Sequence, residues 1–160
     1  MDMSLSAREG RGMVDSHFTR QELACRHCGD LKVDEQLVSA LESLQELAGS
    51  PIAVKDGYRC PEHNESLGKV AGSEHTLGWA ADISIPGRTL QEMYELALRV
   101  PSFADGGIGV YDDGYVHVDV RKGKSRWACV RGQYVGIQHL VRIYPFEVER
   151  RRRPRPAATT

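Results

Sequence analysis

Two histidines and a few carboxylates carry the chemistry open to this chain. His75 stands at the end of a Gly-rich stretch, and Asp82 follows it with six residues between them. Gly78 sits in that interval and allows a turn that would bring the two side chains together. A neutral imidazole and a carboxylate are good zinc ligands. Taken alone, a histidine beside a strand is more often a hydrogen-bonded structural residue. A second group is Tyr115-Val116-His117-Val118-Asp119-Val120-Arg121. Strand alternation places Tyr115, His117, Asp119 and Arg121 on one face and the three valines on the other, so the valines suit a core and the polar face lines something solvated or catalytic. A third is Asp56-Gly57-Tyr58-Arg59-Cys60, where an arginine at a strand end could grip a carboxylate through two parallel hydrogen bonds. The last is Lys124-Ser125-Arg126-Trp127, an aromatic next to a base, either a core plug or a wall for a substrate.

The four cysteines, Cys25, Cys28, Cys60 and Cys129, leave three states open. Cys25-Arg-His-Cys28 has the gap of half a zinc ribbon without the second half, although His27 and His63 could complete a site. A disulfide is a second state, depending on compartment. Buried or half-buried free thiols are the third.

The elements that must position these groups follow from capping and periodicity. Thr19 with Glu22 forms a capping box for a short helix carrying Leu23. Asp34 caps a helix to Ala48, with Leu37, Leu41, Leu44 and Ala48 on one stripe and Gly49-Ser50-Pro51 ending it. Ile52 to Lys55 reads as a strand, Pro61 to Ser66 as a helical turn, and Trp79 to Ile85 as a second strand. Thr89 and Glu92 make another capping box before a helix ending near Pro101. Ile108–Tyr111 and Tyr115–Val120 are the arms of a hairpin, with Asp112-Asp113-Gly114 as its turn. The order predicts an α+β domain with a mainly antiparallel sheet.

Length and composition agree with that. The 160 residues suit one domain, expected over 17–148 between a loose leader, 1–16, and a tail, 149–160. Apolar residues are 41% and charged residues 27%, the balance of a folded globular chain. Formal net charge is −1, which argues against a domain built to hold nucleic acid. Five arginines (Arg150 to Arg153 and Arg155) crowd the tail, leaving 16 bases against 22 acids in residues 1–149. The tail reads as disordered and solvated, or as an anion-attracting arm. No apolar run suits a membrane span, and Met1 to Asp15 shows no signal peptide; starting at Met13 would not create one.

In combination these elements resemble a known family. Ser73, His75, Gly78, Ala80 and Asp82 match Ser-x-His-x-x-Gly-x-Ala-x-Asp without a gap. With Gly57-Tyr58-Arg59 upstream and His117-x-Asp119 downstream, the chain resembles the zinc D-alanyl-D-alanine carboxypeptidases and related peptidoglycan-cutting endopeptidases of bacteria and phages. Phe18, Glu22 and Cys25 resemble the start of one branch, and the likeness covers roughly residues 17–128. It implies a compact α+β fold shared with the hedgehog signalling domain. It also implies Zn2+ held by His75, Asp82 and His117, Arg59 as carboxylate anchor or oxyanion support, Ser73, Asn64 and Tyr115 as supporting residues, and Trp127 as a cleft wall.

The general base departs from the pattern. Many family members place Glu or Asp three residues before the last histidine ligand, where this chain has Gly114. Asp119 is the expected base or the partner orienting a ligand, with Asp113 next. Asp56 stands where the family often has Ser. The expected function is a zinc peptidase acting on peptidoglycan stem peptides or cross-links, as a monomer, at the bacterial wall or periplasm or released as a phage lysin. A zinc-containing binding module without activity is the alternative.

Overall fold

The computed structural model describes residues 17–69 and 73–138. The leader 1–16 and the basic tail 149–160 lie outside the described residues, as does the end of the expected domain, 139–148.

Helix α1 (Arg20–Leu23) and helix α4 (Leu90–Leu98) both begin with the capping boxes expected at Thr19/Glu22 and Thr89/Glu92, each side chain reaching the other's backbone N–H. Helix α2 (Glu35–Ala48) starts at Asp34, whose carboxylate accepts from Gln36 N, and stops at Gly49 in the left-handed region. Strand β1 (Ala53–Asp56), helix α3 (Pro61–Ser66) and strand β2 (Ala80–Ser84) follow, with a 3-10 turn, Glu74–Leu77, just before β2. A short helix α5 (Pro101–Ala104) then leads into the hairpin β3 (Gly107–Tyr111) and β4 (Tyr115–Asp119). Strands β5 (Ser125–Val130) and β6 (Gln133–Gly136) complete the described chain.

The six strands form one sheet in the order β1-β2-β4-β3-β5-β6. Every pairing is antiparallel except β3 with β5, which is parallel. The exception has a local cause. The end of β4 and the start of β5 both pair with Gly107, Asp119 on one side and Ser125 on the other. The connection Val120–Lys124 therefore steps across the start of β3 and lays β5 along its far edge.

Helices α4 and α5 pack on one face of this sheet, and α2 packs against both of them. Leu41 and Leu44 of α2, Ala97 of α4 and Phe103 of α5 are fully buried with Ile83, Ile108, Val110, Val116 and Val118. These are the alternating apolar positions of β2, β3 and β4, so the opposite alternation is left to build a site on the other face. Cutting such a fully buried leucine to alanine costs about 2–5 kcal/mol. The result is the compact α+β arrangement expected, a helix-flanked sheet of the hedgehog type. Among the described residues no helix is long and apolar enough to cross a membrane.

Candidate metal centre

The site is a row across the sheet. Asp82 of β2 pairs directly with His117 of β4, His117 with Gly109 of β3, and Gly109 with Trp127 of β5. Asp56 of β1 pairs with Asp82 on the other side. Directly paired residues project to the same face. The register alone thus aligns Asp56, Asp82, His117 and Trp127 on the face away from the helices. Gly109 leaves the gap in the row. A Cβ there would collide with the Trp127 indole, so the glycine lets the ring lie over the sheet, with its centroid 5.1 Å from that of His117.

His75 arrives from the 3-10 turn. Ser73 Oγ accepts from His75 N at 3.2 Å, and Gly78 closes the turn at φ 78°. A side chain at 78 would meet the Lys32 carbonyl oxygen at 2.5 Å as well as face the left-handed strain. Asp34 N donates to Gly78 O, which ties this turn to the start of α2.

The three groups converge. Asp82 Oδ1 lies 3.1 Å from His117 Nδ1 and 3.3 Å from His75 Nε2. All three ligand atoms fall within 4.8 Å of one another, and all three residues are buried. Tetrahedral ligation at about 2.0–2.2 Å requires edges of about 3.3–3.6 Å, so the cluster has roughly the size of a zinc site. Protonation is assigned by the outer partners. His75 Nδ1 donates to the Gly57 carbonyl at 2.7 Å, leaving Nε2 for a metal. His117 Nε2 donates to Asp119 Oδ2 at 2.8 Å, leaving Nδ1. Two imidazoles and one carboxylate, each imidazole held from behind, form a three-donor set that leaves a fourth position open.

Asp119 therefore stands behind His117 rather than beside the cleft. It is fully buried, and its oxygens also accept from Gly107 N, Arg121 N and the Arg121 guanidinium. Asp113 is exposed at the hairpin turn and is not among the residues that line the cleft. The carboxylates that do line it are Asp56, Glu74 and Asp82. Glu74 precedes His75 and accepts from Arg121 Nη2 at 3.2 Å. Its place inside the Ser73–Asp82 motif was the only sequence signal for it.

Arg59 is 4% exposed and also lines the cleft. Asp56 Oδ2 accepts from its Nε at 3.2 Å and its Nη2 at 2.7 Å, while Asn64 Oδ1 accepts from Nη1 at 2.8 Å. Asn64 is thus a support for Arg59, buried outside the cleft lining. Asp56 Oδ1 is buried without a hydrogen-bond partner among the described residues.

The cleft has a volume of about 730 Å³. Tyr115, stacked on Tyr111 at 4.5 Å, forms one wall with Trp127, whose Nε1 donates to Tyr111 Oη at 3.1 Å. Lys55, Lys69, Arg59, Arg26 and Arg121 place cations around it.

Burial by itself would lower the His117 pKa. Asp119 and Asp82 more than reverse this, raising it from 6.5 to about 9 in the metal-free protein. Burial by itself would raise the Asp82 carboxyl, yet His75 and His117 hold it well below the ordinary range; His117 and Arg121 do the same for Asp119. The His117 contribution to stability is thus complete below pH 6.5 and is lost as pH rises to about 9. The carboxylate contributions are present above about pH 4 and are lost below it. Chelator-treated protein is expected to melt highest between about pH 4 and 6.5, with Tm falling toward pH 9. A Tm that rises through that interval would contradict the assigned network.

No curated protein sequence matches the chain. A family model described as Peptidase M15 matches residues 16–119, a span that takes in every member of the His75–Asp82–His117 cluster and ends on Asp119. With that match over more than half its length and a three-donor metal site in the matched segment, the chain belongs to the M15 peptidase family as a zinc peptidase domain.

Proposed function

We propose that this domain hydrolyses peptide bonds in peptidoglycan, at the D-alanyl ends of stem peptides or at their cross-links, and so works at the bacterial wall or in the periplasm. The observation that carries this reading is the setting of the His75–Asp82–His117 cluster, in a cleft with a buried arginine and flanking cations. Stem peptides present free carboxylates, which such a cleft attracts. Zinc at the cluster would supply Lewis acidity toward a carbonyl and bring the pKa of a bound water down to about 7.

The chain's own residues divide the remaining work. Arg59, oriented by Asp56 and Asn64, binds a substrate carboxylate or the oxyanion that develops on the scissile carbonyl. Tyr115 and Trp127 shape the wall against which the peptide lies. Asp119 orients His117 through Nε2, which would leave Nδ1 for the metal, and Glu74, whose side chain lines the cleft, takes the proton released by the attacking water.

The test is digestion of purified peptidoglycan with and without a chelator, reading new amino and carboxyl termini. Cleavage that stops with chelator is expected; binding without cleavage would make this a binding module instead. The same assay separates the two acids. Glu74→Gln should keep its zinc and lose about 10²–10⁴ in kcat, the usual contribution of a general base. Asp119→Asn should bind zinc about 10- to 100-fold more weakly and recover activity when zinc is in excess. An Asp119→Asn enzyme saturated with zinc yet still inactive would return the base to Asp119.

A further inference from the structure

The cysteines outside the cleft make a second cluster. Cys25, Cys28 and Cys60 come from segments 35 residues apart at their extremes, yet their sulfurs lie within 4.8 Å of one another. None is in a disulfide. Cys25 and Cys60 are buried and Cys28 is exposed. Tetrahedral zinc with sulfur ligands at about 2.3 Å requires S···S edges of about 3.8 Å, so small side-chain rotations would complete the fit.

The backbone around the sulfurs is already arranged for negative charge. His27 N and Cys60 N both point to Cys25 Sγ at 3.4 Å, and His63 N points to Cys60 Sγ at 3.4 Å. Amides directed at sulfur favour thiolate over thiol, as a metal requires. The Cys25-to-Cys28 turn is closed by Gly29 in the left-handed region at φ 80°, with Cys25 N donating to Asp30 O. A fourth donor is close by. His27 Nδ1 lies 3.5 Å from Cys60 Sγ, about the S···N edge of a tetrahedron with Zn–S near 2.3 Å and Zn–N near 2.1 Å, but it stands outside the group of three sulfurs that lie within 4.8 Å of one another, so its ring must turn to meet Cys25 and Cys28 as well. The His63 ring stacks on His27 at 5.5 Å. A disulfide between any two of the three would leave the third sulfur unpaired beside it.

We propose that Cys25, Cys28 and Cys60 hold a second, structural zinc ion, with His27 as its fourth ligand. Binding releases the thiol protons to solvent and leaves three thiolates on the metal. The ion would fasten the Cys25–Asp30 turn to the segment that carries Arg59, the residue directly before Cys60. It is a closed, sulfur-rich site, distinct in chemistry from the open nitrogen-and-oxygen site in the cleft.

The test is metal content and cobalt spectroscopy on the full chain, purified without oxidant. Two zinc ions per chain are expected in the wild type and one each in Cys28→Ser and His117→Ala. The cobalt-loaded protein should show a thiolate-to-cobalt charge-transfer band that persists in His117→Ala and disappears in Cys28→Ser. Because the cleft cluster contains no sulfur, that band reports the second site alone. Should Cys28→Ser fail to fold, the band in His117→Ala still decides. His27→Ala should shift the cobalt spectrum, and an unchanged spectrum would overturn His27 as the fourth ligand. One zinc per wild-type chain with freely titrating thiols would overturn the site, as would a chain mass two hydrogens light.

Discussion

A His117→Ala variant is expected to lose the cleft zinc at neutral pH and at least about 10⁴ in kcat/KM, some 5.5 kcal/mol of transition-state stabilisation. His117 supplies one of three donors and sits 3.1 Å from a second, Asp82. Without it the site keeps His75 and Asp82 alone, too few to hold zinc against water. The fold should survive. Val116 and Val118 face the core and are untouched, and Asp119 keeps Arg121 and Gly107 N as partners. The measurement pairs metal analysis and circular dichroism with peptidoglycan digestion. An intact variant that retained the cleft zinc and its activity would remove His117 from the metal and, with it, the three-donor site.

Arg59→Lys is expected to be nearly as harmful as Arg59→Ala. Loss of a bidentate, charge-assisted donor aimed at developing charge costs about 2–4 kcal/mol, roughly 30- to 1,000-fold in kcat/KM. Lysine has one compact ammonium where the guanidinium presents a planar fork. It could not satisfy Asp56 through two nitrogens and Asn64 through a third while still facing substrate. Zinc content should be unchanged, since Arg59 touches none of the three ligands through its side chain among the contacts described. A rise in KM would identify carboxylate anchoring, and a fall in kcat would identify oxyanion support. Full activity in Arg59→Lys on stem peptides would reduce Arg59 to an ion-pair residue of the Asp56 strand end.

Local rules made much of the frame legible. Both Thr-x-x-Glu capping boxes, the Asp34 cap and the Gly49 stop are short-range hydrogen-bond patterns, readable without knowledge of the rest of the chain. The hairpin from Gly107 was readable because two alternating runs flank Asp112-Asp113-Gly114. Strands β5 and β6 were not. Trp127 read only as a core plug or a cleft wall, and a parallel partner for β3 depends on a step across Gly107 that no periodicity encodes. The metal cluster was legible from motif spacing, but the direction each side chain faces was not. Alternation puts Asp119 on the face of His117; only the His117 ring orientation decides that Asp119 meets the far nitrogen. A bulge in β1 between Val54 and Asp56 puts Asp56 rather than Lys55 opposite Asp82, again invisible in the chain's pattern.

Gly109 has a consequence for what the cleft can admit. The indole of Trp127 rests where a methyl group at position 109 would otherwise stand, so the height of one wall is set by an atom that is missing from the strand beside it. Any larger residue there would displace the ring, which stands 5.1 Å from the His117 ring, and reshape the groove without changing a ligand or a charge. Substrate breadth in this molecule is therefore adjustable from beneath. A single position buried in the sheet, paired between His117 and Trp127, acts as a spacer that tunes which peptides fit over the metal cluster.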